Sequence, residues 1–246
     1  MSTRTTSQNR ARNSRLGLVF VTLVALFSAG CVVSPQPSPP ETDPELDGDG
    51  IDVGVIPETV SEYISFDAAP GTVKPAEGVV IVTDLDTTEV PSTAVVRSDG
   101  SFSIALPGLP GHTYRFQVKQ GDARSQPVDL VVDDTGTTAV LVEEDAPSCL
   151  VLDPGRYAPL DGEGDATTLL LRNDCGVPVR IAAPRLRRGQ GPFVFSPTGA
   201  LEIPASEVGF ITVRAGGSGA ETEDVLLLDV EEPVATRRAI TLTIPE

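Results

Sequence analysis

Three cysteines and a single histidine are the side chains in this sequence most able to do chemistry. A cysteine thiolate can act as a nucleophile, bind a metal or pair in a disulfide. Cys149 and Cys175 have no histidine and no third cysteine near them in the sequence, which disfavours a metal site or a catalytic thiolate. His112 stands at the start of an alternating strand, on its outward side, and no partner is marked by spacing. The sequence therefore predicts neither a catalytic nor a metal-binding role for His112.

An export signal is predicted over residues 1–30. Four arginines and no acid precede a charge-free apolar run that extends from Leu16 to Ala29. This run is shorter than the about 20 residues that a membrane-spanning helix needs, and it suits the hydrophobic region of a cleaved signal peptide. Because no Arg-Arg pair precedes it, the general secretory route is favoured over the twin-arginine route.

The residues that end this segment resemble the lipobox of bacterial lipoproteins. Ala29, Gly30 and Cys31 match the motif, whereas Ser28 stands where the motif usually has an aliphatic residue. The resemblance implies lipidation of Cys31 and a lipid anchor in the membrane, and Val32 after it implies sorting to the outer membrane. Ordinary signal-peptidase cleavage remains the alternative, because the three residues before Cys31 also form a small-x-small site.

A disulfide is predicted between Cys149 and Cys175. If Cys31 is acylated, these two cysteines remain as an even pair, and the periplasm or cell surface permits disulfides. A bridge between them closes about 26 residues and would stabilise the fold by roughly 3 kcal/mol in the chain-entropy model.

Residues 31–57 are predicted to be a disordered tether that begins with the lipidated cysteine. Five prolines between positions 35 and 44 block helix and sheet hydrogen bonding, and a run of acids with little to bury follows them. Such a segment would act as an extended spacer between the membrane and the folded part.

A short segment inside this tether resembles the calcium loops of EF-hand and dockerin modules. Its core is the D-G-D-G sequence at 47–50, and the resemblance implies Asp47, Asp49 and Asp52 as calcium candidates. The twelfth position of such a loop is Ile56 instead of the required acid, and the flanking helices are missing. A solvated acidic linker without metal is therefore the preferred interpretation.

The overall charge restricts the partners that this chain can have. Formal net charge is -17, and it becomes about -21 once residues 1–30 with their four arginines are removed. A surface of this charge repels phosphate backbones, which argues against nucleic acid as a partner. It also repels anionic lipid, so attachment to a membrane is expected to be covalent, through Cys31.

Residues 58–145 show the two-residue period of a β-sandwich. Phe102, Ile104 and Leu106 alternate with small polar or small apolar residues, and the pair Asp99-Gly100 before them is a hairpin signal. In the next predicted strand three residues point inward and three outward: Tyr114, Phe116 and Val118 inward, and Arg115, Gln117 and Lys119 outward.

The turns of this segment resemble bacterial Ig-like domains and carboxypeptidase-regulatory-like modules. The resemblance rests on the D-G-x-F hairpin at 99–102 and on the G-x-x-Y strand entry at 111–114. It implies an Ig-like β-sandwich with a structural or adhesive role. It also implies a tyrosine corner, in which the Tyr114 hydroxyl returns to nearby backbone.

Residues 146–246 are predicted to form a second β-sandwich of about seven strands. The apolar run Leu226–Leu228 indicates a central strand that is buried on both faces. Arg185, Arg187 and Arg188 form the densest basic cluster, which is interpreted as a solvated loop. A phosphate or lipopolysaccharide contact at this cluster is the alternative.

The order of motifs in this second segment resembles the ASH and major-sperm-protein-like Ig-fold domains. Four motifs carry the resemblance: Asn173-Asp174-Cys175-Gly176, Pro178-Val179-Arg180-Ile181, Gly191-Pro192-Phe193-Val194-Phe195 and Leu201-Glu202-Ile203-Pro204-Ala205. The family implies a β-sandwich with interaction or scaffolding roles and no catalytic residues to carry over.

The sequence thus predicts an all-β chain with two Ig-like β-sandwich domains in tandem after a signal peptide and a disordered tether. Its expected function is that of a membrane-anchored cell-envelope lipoprotein, a non-catalytic protein-interaction or structural module without a cofactor. The expected partners are the membrane, through acylated Cys31, and an envelope protein. A carbohydrate- or peptidoglycan-binding module and an enzyme of unrecognised class are the alternatives, and the oligomeric state is left open.

Overall fold

A computed structural model describes residues 43–54, 63–142, 147–216 and 222–244. The predictions for residues 1–30 and for Cys31 lie outside the described residues. Within the described residues, no helix is long and apolar enough to cross a membrane. Nearly every regular element there is a β-strand, which confirms the all-β prediction.

The described strands are numbered in chain order, and a single turn of 3₁₀ helix (Gly48–Gly50) lies between the first two. They are β1 (Glu45–Leu46), β2 (Ile51–Val53), β3 (Tyr63–Ala68), β4 (Val73–Lys74), β5 (Val79–Asp84), β6 (Ser92–Val95), β7 (Phe102–Pro107), β8 (Thr113–Gln120), β9 (Ala123–Arg124), β10 (Val128–Val132), β11 (Ala139–Leu141), β12 (Leu150–Asp153), β13 (Tyr157–Pro159), β14 (Ala166–Asn173), β15 (Val179–Ile181), β16 (Arg185–Leu186), β17 (Phe193–Ser196), β18 (Leu201–Ile203), β19 (Val208–Ala215), β20 (Glu223–Glu232) and β21 (Thr236–Thr243).

The N-terminal half, β1 to β11, is a sandwich of two antiparallel sheets, with β1 and β4 as a further two-stranded antiparallel pair. A three-stranded sheet in the order β2-β3-β7 packs against a sheet in the order β11-β10-β8-β5-β6, in which β9 also pairs with β8. The alternating side chains of these strands meet in one apolar core, where Phe66 stands edge-on to Phe116 with ring centroids 4.9 Å apart. The Tyr114 hydroxyl donates to the Leu109 carbonyl, 3.0 Å away, as the predicted tyrosine corner requires.

The C-terminal half, β12 to β21, is a second sandwich with its own core. Its four-stranded sheet has the order β12-β14-β19-β17, and its six-stranded sheet has the order β13-β21-β20-β15-β18 with β16 beside β20. All its pairings are antiparallel except that of β13 with β21, which is parallel. The core between the sheets is mostly aliphatic, with Leu169, Leu171, Ile211 and Ile240 fully buried, and it also includes Phe193.

The prediction of a disordered tether over residues 31–57 is wrong for residues 43–54. In the structure β1 pairs with β4 and β2 pairs with β3, and Ile51 is buried in the N-terminal core. The apolar residues of this acidic segment are few, but they fall at positions that face the sandwich.

The glycines of the D-G-D-G segment are explained by this packing. A Cβ on Gly48 would stand 2.5 Å from the Leu141 side chain, and one on Gly50 would collide with Thr72. Glycine therefore lets the 3₁₀ turn approach the sandwich closely, which accounts for the spacing that resembles a calcium loop.

Candidate functional site

The two sandwiches meet at a joint that is centred on Arg115 of β8. Its guanidinium donates two hydrogen bonds to the carboxylate of Asp129 on β10, at 2.8 and 2.9 Å. The same guanidinium reaches the other half, where it donates to the Thr241 hydroxyl (3.1 Å) and the Ala239 carbonyl (2.7 Å) of β21. One buried side chain thus links a strand of each sandwich.

A second arginine, Arg156 of the C-terminal half, also contacts Asp129. Arg156 forms an ion pair with the Asp129 carboxylate and donates to the Pro127 carbonyl. Burial is the largest influence on this carboxyl and opposes its ionisation, but the two guanidinium groups together outweigh it. The pKa of Asp129 consequently lies below its usual value.

Arg115 and Gln117 were expected to point outward from the first sandwich, and they do lie on the face of β8 opposite the core. Both are nevertheless buried: Arg115 hydrogen-bonds to β21 of the C-terminal half, and Gln117 donates to the Ser125 carbonyl. The contact between the two halves also confirms the prediction that Leu226–Leu228 is buried on both faces. Leu226 and Leu228 belong to the C-terminal core, while Leu227 packs at the joint with Leu85 of the N-terminal half.

The basic cluster at 185–188 is not simply a solvated loop, because Arg187 is buried in the joint. Its Nη1 atom donates to three carbonyl oxygens at the end of β5 and in the loop that follows: those of Asp84 (3.2 Å), Thr87 (2.9 Å) and Glu89 (2.9 Å). This single side chain thereby holds the loop against the C-terminal half.

A histidine–aspartate cluster, which we define as Asp84, Asp86 and His112, lies beside this joint. His112 Nδ1 is 2.8 Å from the buried carboxylate oxygen Oδ2 of Asp84, and one ligand atom from each of the three residues lies within 4.8 Å of the others. The sequence does not reveal this cluster, since His112 is 26 to 28 positions from the two aspartates and meets them only when β5 pairs with β8. His112 therefore has a close partner in Asp84, which its spacing in the sequence does not mark.

The calcium candidates of the sequence analysis are not brought together in this way. Asp47 caps the 3₁₀ turn by accepting a hydrogen bond from the Asp49 amide (3.1 Å), and Asp52 lies on β2 with its backbone paired to Asp67. Among the described residues these three acids do not form a group that could hold a metal ion.

Cys149 and Cys175 form a disulfide in the structure, with their Cα atoms 4.7 Å apart. The register that pairs β12 with β14 places Leu150 opposite Asn173, which brings the two cysteines to the same end of the sheet. Asn173 is fully buried there, and its side-chain amide donates to three backbone carbonyls, among them that of Ile203 (2.8 Å).

The outer face of the four-stranded sheet in the C-terminal half carries exposed apolar side chains. We define this open face as Val151, Leu170, Val194, Val208 and Phe210. Phe210 is 54% exposed and stands directly opposite Leu170 on the neighbouring strand. The N-terminal half covers the outer face of the six-stranded sheet at β20 and β21, where Leu227, Ala239 and Thr241 are buried, whereas no described residue of this chain covers the open face in that way.

Comparisons with known proteins identify no family. No family model matches the chain, and no curated protein matches it. Among solved structures it is similar to WR4, a major-sperm-protein family member of Caenorhabditis elegans, with 11% identity, a TM-score of 0.32, and coverage of 39% of this chain and 97% of that one. It is also similar to the Escherichia coli chaperone DraB, with 12% identity, a TM-score of 0.32 and coverage of 39% and 54%.

A longer similarity extends to a Porphyromonas gingivalis protein of unknown function. It covers 83% of this chain and 100% of that one, with 12% identity and a TM-score of 0.32. These neighbours include the type of domain that the C-terminal motifs resemble. At such TM-scores, however, the similarities carry no argument about family or function.

Proposed function

We propose that this protein is a non-catalytic interaction module of the bacterial cell envelope, and that it binds a protein partner through the open face of its C-terminal half. The exposure of Phe210 in the middle of that face is the observation that carries the proposal. Exposed contiguous apolar surface is typical of protein–protein interaction sites, because water leaves it favourably when a partner binds.

The charge of the open face suits a partner with acidic residues around an apolar centre. The outward positions of β12, β14, β17 and β19 include two arginines, Arg172 and Arg214, and one acid, Asp153. Arg172 already pairs with Asp174 at 2.9 Å, so the positive charge that this face offers to a partner is that of Arg214 near the end of β19. Complementary charges at the rim of an interface speed association and fix orientation.

The joint supports a binding function, because it holds the C-terminal half, which carries the open face, firmly against the N-terminal half. Arg115 and Arg187 each hydrogen-bond across the joint, and Leu85 packs there against Leu227. Two sandwiches that are locked in this way present a surface with little conformational entropy left to lose on binding.

Location in the envelope is proposed from the sequence. The export signal at 1–30 and the lipobox-like residues before Cys31 favour a chain that is acylated at Cys31 and tethered to the outer membrane. Tethering would keep the open face at a high effective concentration beside neighbouring envelope proteins.

Site-specific photocrosslinking in intact cells tests the binding surface. A photoreactive amino acid at Phe210 or at Val208 should give the same discrete protein adduct. The matched control is Val95, which is 75% exposed on an edge strand of the N-terminal half and should not give that adduct. Equal adducts from all three positions would contradict the proposed surface, and capture of a glycan strand instead of a protein would favour a carbohydrate-binding module.

A further inference from the structure

The histidine–aspartate cluster contains three side chains that are common metal ligands. Asp84 ends β5, Asp86 follows two residues later in the loop, and His112 directly precedes β8. Their ligand atoms lie within 4.8 Å of one another. Donor atoms on one tetrahedral ion, with bonds of about 2.0 to 2.2 Å, are separated by about 3.3 to 3.6 Å. The Asp84 and His112 atoms, now 2.8 Å apart, would therefore move apart slightly as the ion replaces their hydrogen bond.

Both carboxylates are already oriented by backbone and side-chain donors. The Asp86 amide donates to Asp84 Oδ1 (2.9 Å), and the Thr113 amide donates to Asp86 Oδ2 (2.8 Å). Arg237 of the C-terminal half donates to Asp86 Oδ1 (2.7 Å). Because each carboxylate oxygen can accept more than one bond, these donors would keep the ligands in place while an ion binds, as outer-shell partners do in metal sites.

The local charge favours a divalent cation. The two carboxylates bring a formal charge of -2 to the cluster, and the ion pair of Arg237 with Asp86 offsets one of these charges. Asp84 is 6% exposed, so its attraction for an ion would be less screened than that of a surface acid. One imidazole nitrogen with two carboxylate oxygens is a donor set that suits zinc and neighbouring first-row metals better than calcium, which prefers oxygen donors alone.

We propose that Asp84, Asp86 and His112 form a binding site for a divalent transition-metal ion such as Zn²⁺, with water in the remaining coordination positions. A bound ion connects the loop after β5 to the start of β8. Both Arg187 and Arg237 of the C-terminal half hold that same loop. An ion that binds the folded chain and not the unfolded chain raises the melting temperature of the chain.

The single histidine of the chain makes a clean test available. The probe is ZnCl₂, titrated by calorimetry into the full mature chain prepared without a histidine tag, with Co²⁺ absorption as a second readout. We expect one ion per chain and a melting temperature that rises with zinc concentration. His112→Gln and Asp84→Asn should each weaken zinc binding at least tenfold, whereas Asp122→Asn, in the exposed turn after β8, should leave it unchanged.

A measurement on the unaltered protein keeps the test independent of how the variants fold. Zinc should slow the chemical acylation of His112 by diethylpyrocarbonate, and the chain has no other histidine that could obscure the result. Absence of zinc binding at millimolar concentration, unchanged reactivity of His112, or equal zinc affinity in His112→Gln and the wild type would each overturn the proposal. None of these results would test whether the open face binds a protein partner.

Discussion

Arg115 and Asp129 stand opposite each other on two paired strands of the N-terminal half, and neither side chain is more than 5% exposed. The Arg115 guanidinium also donates to the Thr241 hydroxyl and the Ala239 carbonyl, so this ion pair of the N-terminal half is hydrogen-bonded to the C-terminal half. The pair is buried only because the C-terminal half covers it. Its integrity and the docking of the two halves therefore depend on each other.

Removal of one member of this pair should destabilise the whole chain. We expect Arg115→Ala to lower the free energy of unfolding by about 3 to 5 kcal/mol, since it leaves the Asp129 carboxylate buried with one guanidinium fewer. Urea denaturation followed by circular dichroism measures the change. The control is Arg180→Ala, which removes an exposed ion pair to Glu202 and should cost no more than about 1 kcal/mol. A similar small loss in both variants would show that the buried pair does not hold the joint.

The stability that Asp129 contributes should disappear in acid. Its pKa is lower in the folded chain than in the unfolded chain, where it is about 3.9. The contribution is therefore fully present above about pH 4 and is lost as the pH falls through the folded-state value. Free energies of unfolding of the wild type and of Asp129→Asn, measured between pH 7 and pH 2, should differ most at neutral pH and converge in acid. A difference that stays constant over this range would contradict the assignment.

The disulfide between Cys149 and Cys175 should be complete in the purified protein. We expect no free thiol at either position before reduction. Loss of the bridge in a Cys149→Ser/Cys175→Ser double variant should lower the free energy of unfolding by roughly 3 kcal/mol, since the bridge closes a loop of 26 residues. A reductant should lower the melting temperature of the wild type but not that of the double variant. Full alkylation of both cysteines without reduction would refute the pairing.

Local patterns in the sequence predict the sandwich strands, whereas contacts between distant segments determine which of the outward-facing side chains are buried. Phe102, Ile104 and Leu106 alternate strictly, and the structure buries all three. The sequence cannot show that Arg115 is covered, because the covering residues Ala239 and Thr241 are more than 120 positions away.

The histidine–aspartate cluster was missed for a related reason. Its ligands occupy two separate segments, and only the pairing of β5 with β8 brings Asp84 next to His112. Residues 43–54 were misassigned because their acids and glycines dominate the composition. The few apolar side chains that anchor them, such as Ile51, carry little weight in a sequence pattern.

Lipidation of Cys31 should be visible in the mass of the mature N-terminus. We expect the mature chain to begin at Cys31 with a mass increased by acyl chains, because the residues before Cys31 resemble a lipobox. Two or three acyl chains would anchor the protein stably, whereas one would not. Cys31→Ser should yield unprocessed or soluble protein. Mass spectrometry that finds an unmodified Cys31 with a free thiol would contradict the anchor, and ordinary signal-peptidase cleavage would then be favoured.

The affinity of the crosslinked partner for variants of the open face tests the central claim most directly. Phe210→Ser removes an exposed ring at the centre of that face, and Val95→Ser removes a more exposed apolar side chain from the other half. If binding occurs through the open face, the Kd measured with the purified partner should rise at least tenfold for Phe210→Ser and stay unchanged for Val95→Ser. Equal Kd values for the wild type and Phe210→Ser would contradict the claim that this protein acts through that face.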